Sequence, residues 1–142
     1  MRLSLCALFV FCASFLHAEA DLKGKPPEDF DWFEYVNEGD SASGEMFRAE
    51  EGVKILELRM NELCTAYLEL LASRKEEEGV RLFNEMQAHW KKASDAEVSL
   101  IGGSWRGGSG ARVAYPKARL HSYLFRIKEL KDIANQCLSL NR

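Results

Sequence analysis

The sequence predicts an all-α fold: an antiparallel three-helix bundle with a Gly-rich loop between helices two and three and an irregular N-terminal segment. Three observations carry this expectation. Apolar residues recur at three- and four-residue steps through three separate stretches, which is the period of a helix face. Capping or glycine-rich sequences divide those stretches from one another. A chain of 142 residues, 46% hydrophobic and 29% charged, has room for one domain with its own core and not for two. The formal charge of −3 is too mild for a tail that coats nucleic acid, and 11% aromatic residues argue against disorder.

Residues 1–20 read as a secretory signal peptide. Arg2 supplies a positive start, Leu3 to Leu16 is a nearly unbroken apolar run, and Ala18-Glu19-Ala20 has the small-x-small form of a cleavage site. The run is too short to span a bilayer. Bulky Leu5 and Phe11 stand before Cys6 and Cys12, where lipoprotein processing wants small residues. The mature chain is therefore expected from Asp21 as a soluble exported protein. It has no Asn-x-Ser/Thr sequon, which fits a bacterial periplasm.

Residues 21–44 form an acidic segment with seven acids and two bases. Its aromatic group Phe30, Trp32, Phe33 and Tyr35, with Val36, either folds back onto the core or binds a partner. The helical domain is expected over 45–142. The first helix, from about Glu45 to Ser73, has the stripe Leu56, Met60, Leu63, Tyr67 and Leu70. Ser73-Arg74-Lys75-Glu76 has the form of a capping box, so the second helix is expected to start there. It continues to about Leu100 with the stripe Val80, Phe83, Met86, Trp90 and Val98. Gly102 to Gly110 is expected to break the helix. Pro116 suits the first turn of a third helix, whose inner face is Leu120, Leu124, Ile127 and Ala134.

In an up-down-up arrangement the first and third helices run parallel. Cys64 and Cys137 then lie toward the same end, either as a disulfide or as two buried thiols. Charge is divided along the chain. Residues 21–73 sum to −8 and residues 101–142 to +6, and 101–120 contains no acid. Part of this asymmetry is expected to be internal, the acidic first helix facing the basic third one.

Catalytic patterns are weak. The Gly-rich stretch lacks a Gly-Lys-Ser/Thr ending, G-x-G-x-x-G and a preceding strand, so no phosphate cradle is expected. Glu85 and His89 lie one turn apart but lack further ligands, so no metal site is expected. No G-x-S-x-G elbow occurs, and the paired carboxylates fall on solvated helix faces. The expectation is no enzyme, no cofactor, and no nucleic-acid partner for an exported chain.

Several motifs fall in a familiar order: Leu63-Cys64-Thr65-Ala66-Tyr67-Leu68-Glu69-Leu70, Gln87-x-x-Trp90, Asp95-Ala96-Glu97, Gly102-Gly103-Ser104, then Arg126. Over roughly residues 60–130 this pattern resembles the LprI-like lysozyme-inhibitor domain family. The chain departs from the family at Ser94, where the family has Arg, and at Cys64, where it has Asn. Val98 and Ala118 stand at two family cysteines expected to pair, so an apolar contact is expected instead of that link. The shared residues are expected to be structural, with Trp90 in the core and Asp95 and Glu97 paired with Lys or Arg on the third helix, Arg126 being the natural candidate.

The resemblance implies an exported inhibitor of lysozyme or a related cell-wall hydrolase. Lysozyme works with two carboxylates in a cleft, and a loop carrying Trp105, Arg106 and Arg112 supplies an aromatic ring and cations to fill one. The alternative is an envelope structural or assembly factor that binds another exported protein through residues 30–36. A third, a small-molecule-binding bundle, predicts an apolar cavity between helices.

Overall fold

The computed structural model describes residues 25–139, so the signal peptide expected at 1–20 lies outside the described residues. Those residues are all-helical, with no strand among them. A 3-10 turn at Pro27–Asp29 precedes four α-helices: α1 (Trp32–Asn37), α2 (Ala42–Ser73), α3 (Glu77–Ser104) and α4 (Ser109–Ser139).

Local chemistry sets the starts of the first two. The Asp31 carboxylate accepts from the Glu34 backbone N–H at 2.9 Å, and the Ser41 hydroxyl accepts from that of Gly44 at 3.2 Å. Each satisfies one of the amide donors a helix leaves open at its start. The capping box expected at Ser73 does not form. Ser73 is the last residue of α2, and its hydroxyl donates to the Leu70 carbonyl at 2.7 Å. That hydroxyl is spent on its own helix. The chain then reverses through Lys75 at a positive φ of 58°, and α3 begins behind Glu76 without a side-chain cap.

The helix break expected over Gly102–Gly110 shrinks to the four residues 105–108. Helix α3 runs through Gly102 and Gly103 to Ser104, and α4 already contains Gly110. Glycine costs a helix roughly 1 kcal/mol relative to alanine, and at Gly102 and Gly110 close packing of an aromatic ring offsets that loss. Pro116 is likewise not in a first turn but inside α4. It leaves the Arg112 carbonyl without an amide donor four residues on.

The long helices pair in a definite order. Glu45 meets Lys117, Glu57 meets Tyr123 and Tyr67 meets Cys137, so α2 and α4 run in the same direction. Ser94 meets Ser122 and Gln87 meets Arg126, so α3 runs opposite to α4. Helix α4 makes most of the contacts between long helices, whereas α2 and α3 meet sparsely. The core gathers Leu56, Met60, Phe83, Leu120, Tyr123, Ile127 and Leu130, with Trp32 and Val36 from α1. Burying each such side chain contributes about 1.5–3 kcal/mol.

The N-terminal segment, expected to be irregular, is therefore partly helical and folds back. Trp32 is 1% exposed and Val36 0%, and the Trp32 indole N–H donates to the Pro27 carbonyl at 2.7 Å. Room for this indole exists because α2 carries glycine at 52, where a Cβ would lie 2.7 Å from both the Trp32 ring and Leu120. An ion pair locks the segment down. The buried Glu28 carboxylate accepts from Arg59 of α2 at 3.1 Å and from Lys131 of α4 at 3.0 Å. Burial alone would raise its pKa, but these cations hold it at about 2.

Candidate functional site

The turn joining α3 to α4 brings together the residues expected to bind a partner. Trp105 N–H bonds to the Gly102 carbonyl and Arg106 N–H to that of Gly103, each at 3.2 Å. The Ser104 hydroxyl donates to the Ile101 carbonyl at 2.6 Å. Arg106 then takes φ +39° and Gly107 φ +80°, reversing the chain within four residues. Left-handed backbone is costly for arginine and easy for glycine, so Gly107 carries the larger positive angle.

Two glycines near this turn act as seats for aromatic rings. The Tyr115 ring of α4 lies against Gly102 of α3, and any Cβ at 102 would run into it. Reciprocally, the Trp105 ring lies over Gly110, where a Cβ would sit 2.6 Å from the indole. Val98, Ala111 and Val113 are buried close by in sequence, yet stand outside the main core cluster. At Gly102 and Gly110 the missing side chain lets backbone and rings approach closely.

What the tip presents outward is aromatic and basic. Trp105 remains 58% exposed, Arg106 and Arg112 are exposed, and neither guanidinium takes part in an ion pair among the described residues. Lys117 differs, being held by Glu45 at 2.8 Å. This one pair realises the expected attraction between the acidic first long helix and the basic last one.

The remaining motif residues gather elsewhere, between the helices. Arg126 is buried; its Nε donates to the Gln87 side-chain oxygen at 2.7 Å and another guanidinium N–H to Glu129 at 3.0 Å. Gln87 turns its amide N–H₂ to Cys64 Sγ at 2.8 Å. The Trp90 ring, half-buried at the edge of the core rather than central to it, meets Tyr123 at 5.5 Å and lies 5.6 Å from the Arg126 guanidinium. This joins α2, α3 and α4 through one polar chain. The expected pairing of these acids with a cation of the last helix is made by Asp95, but with Arg119 at 3.8 Å rather than with Arg126; Asp95 also binds Lys91 at 2.8 Å, and Glu97 is exposed. Gln87 is closer to Arg126 and takes the guanidinium instead.

Cys64 and Cys137 are not bonded to each other. Cys64 faces Gln87 on α3, while Cys137 accepts from the Tyr67 hydroxyl at 2.9 Å. Each thiol is engaged by a different donor, so of the two alternatives the structure has two separate thiols. Burial pushes the Cys64 thiol up, against the Gln87 hydrogen bond, which keeps it protonated and a poor nucleophile at neutral pH. Burial and the bond to Cys137 push the Tyr67 hydroxyl up to about 12. Val98 is buried and Ala118 half-buried, and beside them the Ser94 and Ser122 hydroxyls share a buried hydrogen bond at 2.6 Å.

Sequence reasoning missed three features. Leu100 and Ile101, 77% and 39% exposed, flank the tip and were legible as the last apolar residues before the glycines. The Glu28 ion pair had no spacing signal, because its partners lie 31 and 103 residues away. Of the aromatic segment, Phe33 alone among the four rings is exposed, with His121 at 6.2 Å. Among the described residues no group of three or more His, Cys, Asp or Glu is placed to hold a metal, and no helix is long and apolar enough to cross a membrane. The chain matches no family model, no curated protein and no solved structure.

Proposed function

We propose that this chain is an exported, periplasmic binding protein. In this reading its helices form an antiparallel three-helix bundle, and it inserts the α3–α4 tip into an acidic cleft of another exported protein. The LprI-like pattern makes lysozyme or a related cell-wall hydrolase the target. The observation that carries the reading is the tip itself: an exposed indole at Trp105, followed by Arg106 and, in the first turn of α4, Arg112, neither arginine paired with an acid among the described residues, on a turn with two ring-to-glycine contacts. A rigid tip loses little entropy on docking. Paired carboxylates of a glycosidase cleft would accept Arg106 and Arg112, and Trp105 would stack where sugar rings do.

The rival reading, an assembly factor that binds through residues 30–36, retains Phe33 as its exposed ring, because Trp32 is buried and the Tyr35 hydroxyl donates to the buried Glu51 at 2.6 Å. The test is a titration of residues 21–142 into lysozyme during cell-wall hydrolysis. Stoichiometric loss of activity is expected, weakened about tenfold by Arg106→Ala or Arg112→Ala, as for loss of one charge-assisted hydrogen bond. Full hydrolysis at a large excess of the protein removes lysozyme as the target. Inhibition that survives Trp105→Ala, Arg106→Ala and Arg112→Ala together removes the tip.

A further inference from the structure

The acidic-cleft reading uses Trp105 and the two arginines but gives no work to the aliphatic side chains next to them. Leu100 is 77% exposed, more than any other large hydrophobic residue described, and Ile101 is 39% exposed. Leu100 and Ser104 stand one helical turn apart, as do Ile101 and Trp105. The four therefore share the outward face of the end of α3. An aliphatic pair this open is costly in water without a use.

The charge around this face is one-sided. No acid occurs between Glu97 and Glu129. Glu97, one turn before Ile101, marks where the apolar face stops. Of the six cations in that interval, Lys117 is paired with Glu45, Arg119 lies 3.8 Å from Asp95, Arg126 is buried and Lys128 stands sixteen residues beyond Arg112 in α4, which leaves Arg106 and Arg112 as the cations of the tip. Residues 100–105 span about 8 Å along the helix axis, so with this end of α3 lying along the surface Leu100, Ile101 and Trp105 would enter the headgroup–acyl boundary side by side. An indole, two aliphatic side chains and flanking arginines with no acid among them match both layers of an anionic bilayer surface, the headgroups and the upper acyl chains.

We propose that the tip docks on anionic lipid bilayers, with Leu100, Ile101 and Trp105 entering the interface and Arg106 and Arg112 on the headgroups. This goes beyond the inhibitor reading and does not depend on it. A membrane and an acidic cleft would compete for Trp105, so lipid would hold the protein in reserve near the surface.

The experiment is co-sedimentation with vesicles, using the chain from Asp21 onward, because the apolar run at 3–16 would itself bind lipid and the core lies wholly within 25–139. Vesicles containing phosphatidylglycerol are compared with phosphatidylcholine alone. Binding to the anionic vesicles alone is expected, weakening as salt rises. Leu100→Ser should reduce it about tenfold or more, as should the paired change Arg106→Glu with Arg112→Glu, at unchanged thermal unfolding. Equal binding to both vesicle types, no binding, or binding indifferent to these substitutions overturns the inference. Lysozyme inhibition measured on the same variants separates the two readings. Leu100→Ser that abolishes vesicle binding and leaves inhibition intact supports the lipid surface. Inhibition without any vesicle binding leaves the tip as a protein-binding element only.

Discussion

Glu28 offers the sharpest quantitative test of how the N-terminal segment is held. Its side chain is 2% exposed, and Arg59 and Lys131 reach it from two different helices. Its pKa falls from 4.5 to about 2 in the folded protein. A depressed carboxyl pKa means that folding stability is fully present above the unfolded value and disappears as pH falls through the folded one. The window is therefore pH 4.5 down to about 2. At 1.36 kcal/mol per unit the difference corresponds to about 3 kcal/mol, and about 2 once the solvent-open sides of Arg59 and Lys131 are allowed for. Glu28→Gln keeps the shape and removes the charge. Urea unfolding should place the variant about 2–3 kcal/mol below the natural protein at pH 7, with the gap closing toward pH 2. A gap that is the same at pH 7 and pH 2.5 would show that packing, not charge, supplies the stability, and the argument would fail.

Gly52→Ala should destabilise by about 1–2 kcal/mol in thermal unfolding: overpacking against Trp32 and Leu120 costs more than the roughly 1 kcal/mol that alanine adds to helix propensity. A raised melting temperature would mean the Trp32 ring is free to move aside. Gln87→Ala strips the buried Arg126 of one of its two acceptors, so a loss of about 2–3 kcal/mol is expected in urea unfolding, with Gln87→Glu milder because it restores an acceptor. The chain from Asp21, purified without reductant and unfolded, should show both Cys64 and Cys137 as titratable thiols. A count of none would reveal the disulfide after all.

The helix faces were legible because burial leaves a periodic trace. Leu56 and Met60 in α2, Phe83 and Val98 in α3, and Leu120 and Ile127 in α4 all stand at expected stripe positions and are buried. Helix ends were less legible, since they depend on competition between local options. Ser73 had the right residue three positions before Glu76, but the nearer Leu70 carbonyl took its hydroxyl. Glycine was misjudged for a related reason. Propensity alone says that Gly102 and Gly103 end a helix, whereas Gly102 seats a ring thirteen residues further on that no local pattern announces. The same holds for the polar chain through Gln87 and Arg126. The motif residues were identifiable, but the pairing depended on how two antiparallel helices set their register. The tip was singled out by composition, as a basic stretch without acids, whereas its ring-to-glycine contacts came into view only with the rings in place.

The sparse meeting of α2 and α3 has a consequence for the order in which the molecule comes into being. As the chain is synthesised, everything up to Gly108 emerges before α4 exists. At that point Trp32 has Gly52 beneath it but lacks Leu120, and the core lacks Tyr123 and Ile127. Arg126 has not reached Gln87, and Glu28 has one of its two cations. Two long helices with little between them do not bury enough apolar surface to repay chain entropy. The final 31 residues described, Ser109–Ser139, are therefore what turns a pair of loosely associated helices into a folded body. A nascent chain would remain open, and able to pass through a narrow pore, until its last helix is released.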